Sequence, residues 1–393
     1  MTNRKQRKAK KIARCIVLLM LPLGIAGAAD GVKSLRDMLS ETKAVSIEET
    51  PSAAVPAKKG KDTSIYAKAQ AERTDDDILC GSLILSEGYG ITAGTIEDPL
   101  LKLESPLETV NNKAGEKPYP TEEQWTSGGD IIRTTYKPYS GTTFFDLKKH
   151  GQVNNKTDIP NETLIKESRC LPDFTIEDTS EPQVLIYHTH TTESFEPYVR
   201  DNYDSGFNYR TTDDTKNMVM VGDAIEAELE ARGIGVIHVE TIHDYPSYNG
   251  SYGRSRETIV PILEQYPSIK VVLDIHRDAI SGDGIAYQPY VEIDGKEAAQ
   301  VMIISGCDDG TLGMPSYIRN FRFACRLQER LEGDNPGLTR PILFDYRHYN
   351  QDLTTGSLLI EVGSHCNTLE QAQYSGQLIG RSLGGMLNDM KED

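Results

Sequence analysis

No two of the six cysteines (Cys15, Cys80, Cys170, Cys307, Cys325 and Cys366) stand at C-x-x-C spacing. That excludes a thiolate zinc knuckle and a dithiol redox motif, so any metal must be held by histidine and carboxylate. Positive charge is also scarce. The 393 residues carry 42 Lys+Arg against 59 Asp+Glu, a formal net charge of -17, and this sign argues against a nucleic-acid partner, which calls for a basic face. A P-loop and a G-x-G-x-x-G turn after a strand are both missing, which removes the common phosphate and dinucleotide cradles. Histidine is sparse, eight in all, so where the histidines gather is informative.

The basic residues present are unevenly spread. Seven of them lie in the first fourteen positions without an acidic neighbour, leaving -24 for the rest of the chain. They run into Cys15–Ala29, CIVLLMLPLGIAGAA, the order of a positively charged segment followed by an apolar one that marks an exported protein. Fifteen residues is short for a spanning helix of about 20. Ala26-Gly27-Ala28 resembles a cleavage site, whereas Pro22 and the small residues after it could equally end an uncleaved anchor. Either way the basic end stays in the cytoplasm and the remainder lies outside.

Residues 30–75 are rich in Ala, Lys, Glu, Ser and Thr and almost free of aromatics, too little apolar surface to offset the entropy of ordering, and read as a flexible tether. Residues 76–179 contain short apolar runs broken by Gly, Pro and Asn, the pattern of a small β-containing region. Its single histidine, His150, reads as a surface residue, and an exported chain leaves open both a disulfide from Cys80 to Cys170 and a set of free buried thiols. From about residue 180 to 393 the texture changes to strands alternating with helices. VLIY (184–187), GVIHVE, KVVLDIH (270–276), QVMIISG (300–306) and SLLIEVG (357–363) read as strands. Helices are expected near 215–232, 254–265, 316–331 and 369–390. This rhythm predicts an α/β domain with a mostly parallel sheet and helices on both faces, its strands covered on both sides.

In such a sheet the ligand site lies at the carboxyl ends of the strands. Three strands place polar residues there: Tyr187-His188-Thr189-His190-Thr191-Thr192-Glu193 after the first, Asp274-Ile275-His276-Arg277-Asp278 at the second, and Glu361 within Leu359-Ile360-Glu361-Val362-Gly363. His190-x-x-Glu193 sets an imidazole and a carboxylate on one short turn, and a distant His276 completes a two-His, one-carboxylate set suited to catalytic Zn2+. Glu361 then serves as general base, because a carboxylate inside an apolar strand is costly to bury unless it is paired or working. His188 and His190 alternate onto one strand face, so either can be the ligand, and only the spacing to Glu193 favours His190. Asp213 and Asp214, at the opening of the following helix, read as cap residues but could replace Glu193. His238 and His243 look like surface residues. Arg277, His348 and His365 are candidate substrate contacts.

The strings VLIYHTHTTESFEPY, VVLDIHRDA, and YNQDL followed by GSLLIEVGSHCNT together resemble the stage II sporulation protein P family of endospore-forming bacteria, in order and spacing from about Glu181 onward. The resemblance implies a zinc-dependent N-acetylmuramoyl-L-alanine amidase with added endopeptidase activity on stem-peptide crosslinks, acting on peptidoglycan during engulfment of the forespore. It also implies partnership with stage II sporulation proteins D and M at the septal membrane. More distantly the chain is similar to the general zinc amidases, whose histidine, acidic residue, second histidine and late glutamate would here be His190, Glu193, His276 and Glu361. Those amidases take the acidic ligand from the start of their first helix, here the Asp213 and Asp214 region, and on that point the resemblance leaves the carboxylate open.

Overall fold

A computed structural model describes residues 127–391 except Asn208. Largely continuous apolar runs build its central sheet of eight strands. In chain order these are β2 (Phe144–Asp146), β3 (Gln152–Asn155), β4 (Pro182–Tyr187), β6 (Gly235–His238), β7 (Val271–Asp278), β11 (Val301–Cys307), β12 (Ile342–Tyr346) and β13 (Gly356–Ser364), arranged β2-β3-β12-β11-β13-β7-β4-β6. Five neighbouring pairs are parallel and two, β2 with β3 and β11 with β13, are antiparallel. The expected mostly parallel α/β sheet is what the chain forms.

Each of its long strands is apolar on both faces for a reason visible in the packing. Val184 and Ile186 of β4, Leu273 and Ile275 of β7, and Leu358 and Ile360 of β13 point to one side. There they meet α2 (Val219–Glu230), α4 (Tyr317–Asp334) and α5 (Leu369–Asn388) through Val221, Ile225, Phe321, Leu327, Leu378 and Ile379. Leu185, Tyr187 and Val272 point to the other side, against Ile259, Ile262 and Leu263 of α3 (Ser251–Gln265). Alternation with a period of two therefore feeds two cores. Helices α2 and α5 approach closely because α5 offers glycines at the contact: a Cβ on Gly376 or Gly380 would stand 2.9 Å from the Val221 carbonyl oxygen or 2.7 Å from that of Ile225. Thr368 and Gln371 form a reciprocal capping box that fixes where α5 begins.

A second sheet lies outside the apolar rhythm, and of its strands only the one within residues 76–179 falls where β-structure was expected. It runs β10 (Lys296–Ala299), β9 (Ile285–Ile293), β1 (Ser127–Thr134) and β5 (Asn202–Asp204), with β8 (Ser281–Gly282) beside β9. The region 76–179 was expected to contain β-structure, and its described part contributes strands to both sheets. β1 pairs with β9, and β3 pairs with β12 in the central sheet, so strands from before and after residue 180 share both sheets. Residues 1–29, the stretch 30–75 expected to be a tether, residues 76–126 and Cys80 lie outside the described residues. Among the described residues no helix is long and apolar enough to cross a membrane.

Candidate active site

Strand order brings the three chemically loaded segments together, since β13, β7 and β4 are neighbours at the centre of the sheet. Parallel pairing puts Glu361 in register with His276, so both side chains emerge on the α3 side of the sheet. The first segment reaches the same place differently. β4 ends at Tyr187, and with the strand over, alternation no longer governs His188 and His190. The two were expected on one face; they part instead. His188 turns to the α2 side, where its Nδ1 lies 2.9 Å from the Ile275 carbonyl and its Nε2 2.9 Å from Nε2 of His238. His190 turns to the α3 side, stacked on Tyr248 at 4.4 Å and edge-on to His276 at 5.1 Å between ring centroids.

Around this point His190, Glu193, His276 and Glu361 are all buried. His276 Nδ1 is 3.6 Å from Glu193 Oε2, about the separation of two ligands on a tetrahedral zinc with bonds near 2.0–2.1 Å. Its Nε2 is 2.8 Å from Asp274 Oδ1, the carboxylate that also accepts from the Thr189 backbone N–H and hydroxyl. Glu193 in turn accepts from the Arg277 backbone N–H and faces Arg210 at 3.6 Å. Burial works to lower the His276 pKa, but Asp274, Glu193 and Glu361 outweigh it and raise it to about 9. The pocket thus favours positive charge. Burial, then the nearby positive charges of His276 and Arg210, hold His190 well below the ordinary histidine value, as a neutral ring.

His190 Nε2, His276 Nδ1 and Glu361 Oε2 are buried without hydrogen-bond partners. Buried polar atoms left so are costly, and two imidazoles beside a carboxylate, in a pocket that favours positive charge on His276, are the donor chemistry of zinc, so the residues fit the metal. The fit is incomplete in one respect. Among the described residues, Asp223, Glu226 and His238 are the group whose ligand atoms all lie within 4.8 Å of one another. The His190, Glu193, His276 set does not meet that spacing. Since Glu193 and His276 do, His190 is the residue that stands off, held by its stack on Tyr248 and by contacts of Nδ1 with Ser251 Oγ at 3.5 Å and Asp244 Oδ2 at 3.9 Å.

Several expectations are corrected by this geometry. Asp213 accepts from Thr215 and pairs with Lys216 at 3.0 Å in a turn, and α2 begins only at Val219, so neither Asp213 nor Asp214 caps that helix. His238 and His243 are buried rather than superficial: the first packs on His188, and the second holds the His188 carbonyl at 2.8 Å through Nδ1. Arg277 is buried with its guanidinium donating to the carbonyls of Ser194 and Tyr209, which spends the charge inside the fold. His348 pairs with Asp352 at 3.1 Å, and His365 lies buried edge-on to Tyr209. His150 is exposed, as expected. The string Gly380-Arg381-Ser382-Leu383-Gly384 has the G-x-S-x-G form, yet it lies inside α5 with Ser382 buried against Asn335. It forms no strand-to-helix elbow.

Asp274, Asp244, Arg210, Tyr248 and Tyr252 were not singled out from sequence. Asp274 had a signal, since two residues before His276 on the same strand is the same face. The others come from loops and a helix start whose approach to the site only the tertiary fold decides.

The family model for stage II sporulation protein P matches residues 97–384. The chain belongs to that family. Stage II sporulation protein P of Bacillus subtilis (strain 168) is 30% identical over 203 residues, covering 48% of this chain and 47% of that protein, so the match spans about half the length of the relative. Among solved structures, the N-acetylmuramoyl-L-alanine amidase AmiC2 of Nostoc punctiforme is 10% identical, covering 53% of this chain and 96% of that one at a TM-score of 0.31. The CwlD amidase of Clostridioides difficile, solved with the GerS lipoprotein, is 13% identical, with 53% and 99% covered at 0.32.

Proposed function

We propose that the chain is a zinc-dependent peptidoglycan hydrolase of sporulation that cleaves the amide between the lactyl group of N-acetylmuramic acid and L-alanine, and also cuts stem-peptide crosslinks. The observation that carries this reading is the gathering of Glu193, His276 and Glu361 in one buried pocket with His190 beside them, in a chain of this family. His190, Glu193 and His276 would hold the ion. When bound, zinc supplies a Lewis acid and lowers the pKa of a coordinated water toward about 7.

The chain's own residues do the rest. Asp274 fixes the His276 ring, the expected role of a carboxylate behind a ligating histidine. Burial, and then the charge of Asp278, raise the Glu361 carboxyl well above its ordinary range, which suits it to take a proton from the attacking water and return it to the leaving amine. Tyr248 and Tyr252 form an aromatic wall over the site. Engulfment as the setting, stage II sporulation proteins D and M as partners, and an extracytoplasmic position tethered through Cys15–Ala29, or secretion after its cleavage, belong to the same proposal.

The test is digestion of purified sacculi by the protein, with and without a chelator, followed by mass analysis. Muramoyl glycans freed from intact stem peptides, and loss of that release with chelator, are expected. Release of single C-terminal amino acids would mark a zinc peptidase instead, and no release of any fragment would mark a wall-binding subunit.

A further inference from the structure

On the α2 side of the sheet, Asp223 and Glu226 stand three residues apart on one face of α2, and His238 closes β6 against them. His238 Nδ1 lies 3.2 Å from Asp223 Oδ1 and 3.8 Å from Glu226 Oε2. The His238 ring is fully buried and Glu226 is buried, while the Asp223 side chain is 23% exposed, so the cluster opens to solvent at Asp223 alone. Helix α2 backs directly onto it: a Cβ on Gly222 would stand 2.3 Å from His238 Nε2 and 2.8 Å from His188 Nε2.

Hydrogen bonding fixes the tautomers. A carbonyl only accepts, so His188 must carry hydrogen on the Nδ1 that meets Ile275. The two facing Nε2 atoms, 2.9 Å apart, can share only one hydrogen. Giving it to His188 would make that ring a cation lodged between a carbonyl and another imidazole. The hydrogen therefore belongs to His238 Nε2, so His238 Nδ1 is the ring atom turned toward Asp223 and Glu226. That atom is buried, has no hydrogen-bond partner, and is aimed at two carboxylates. Two carboxylates turned toward one buried ring nitrogen favour positive charge between them, which a proton on Nδ1 or a metal ion supplies.

We infer that Asp223, Glu226 and His238 form a second divalent-cation site, with zinc the first choice because one imidazole nitrogen joined to two carboxylate oxygens suits it better than an all-oxygen cation. The His238 Nε2–H held by His188 is the outer contact that orients a ligating histidine. The ion would clamp α2 to β6 and, through His188, brace the strand end that carries His190. No residue is shared with the proposed catalytic set.

The test is zinc titration of the metal-free, detergent-extracted full chain, with bound metal counted by elemental mass spectrometry. Two equivalents per chain are expected. Asp223→Asn with Glu226→Gln should remove one, and His190→Ala with His276→Ala should remove the other. A single equivalent lost only with the histidine pair would overturn this inference and leave the catalytic reading standing, and a single equivalent lost only with the acidic pair would do the reverse. Should the double acidic variant fold poorly, Asp223→Asn alone changes the partly exposed ligand. It should weaken one zinc equivalent at least tenfold with an unchanged circular dichroism spectrum, and unchanged affinity would overturn the inference.

Discussion

Glu361 and His276 are register partners across the parallel pair β13 and β7, so the backbone pairing itself places a carboxylate beside a metal-ligand candidate. The pairing does not depend on the Glu361 charge. Glu361→Gln should therefore keep the fold and the zinc content while lowering the rate of sacculus digestion by about 10²–10⁴, the usual worth of a general acid-base. Normal digestion by a folded Glu361→Gln protein would remove Glu361 from the chemistry.

The separation of His188 from His190 gives two opposite expectations. His190→Ala should cost zinc at the proposed catalytic site and with it all digestion. His188→Ala should leave that zinc in place but deprive the buried Ile275 carbonyl and His238 Nε2 of their partner, costing about 1–3 kcal/mol. Denaturant unfolding alongside zinc analysis checks both. Equal loss of catalytic zinc in the two variants would mean that the faces were assigned wrongly.

Asp274 meets His276 Nε2 and the Thr189 backbone from one carboxylate. Asp274→Asn keeps an acceptor for Thr189 but removes the charge that aligns His276, and zinc affinity should fall about 10- to 100-fold. Competition against a chelator of known strength measures it. An affinity unchanged within twofold would confine Asp274 to a packing role.

Much of this arrangement was legible in sequence because its signals are local. Continuous apolar runs predicted β4, β7, β11 and β13 to within two residues of their ends, since strands covered on both faces leave that mark. His276 and Glu361 could be read because each sits in such a run as a polar exception. What failed was non-local. The strand end at Tyr187 broke the alternation that would have put His188 and His190 together, and the Asp213 turn delayed α2 to Val219. β1 and β9 carry little periodicity, and their pairing across more than 150 residues is set by the finished fold. Arg277 read as a substrate contact because a charge at a strand end usually faces solvent; nothing local announces that the carbonyls of Ser194 and Tyr209 will enclose it.

Asp352 offers a test by pH. Its carboxylate receives both terminal nitrogens of Arg256, at 2.8 and 2.7 Å, and faces His348 Nε2 at 3.1 Å, tying the segment before β13 to α3. Burial alone would raise its pKa, but His348 and Arg256 outweigh burial and hold it well below the ordinary carboxylate value. A carboxyl depressed on folding stabilises fully above its unfolded pKa of about 3.9, and that contribution fades as pH falls toward the folded value. Arg256 is 40% exposed, so solvent screening limits the contribution to about 1 kcal/mol. The stability difference between the native protein and Asp352→Asn, from urea unfolding, should stay constant between about pH 7 and 5 and shrink below about pH 4, where the unfolded carboxyl takes up its proton. A difference that held or widened at pH 3 would show that Asp352 stabilises through packing rather than through charge.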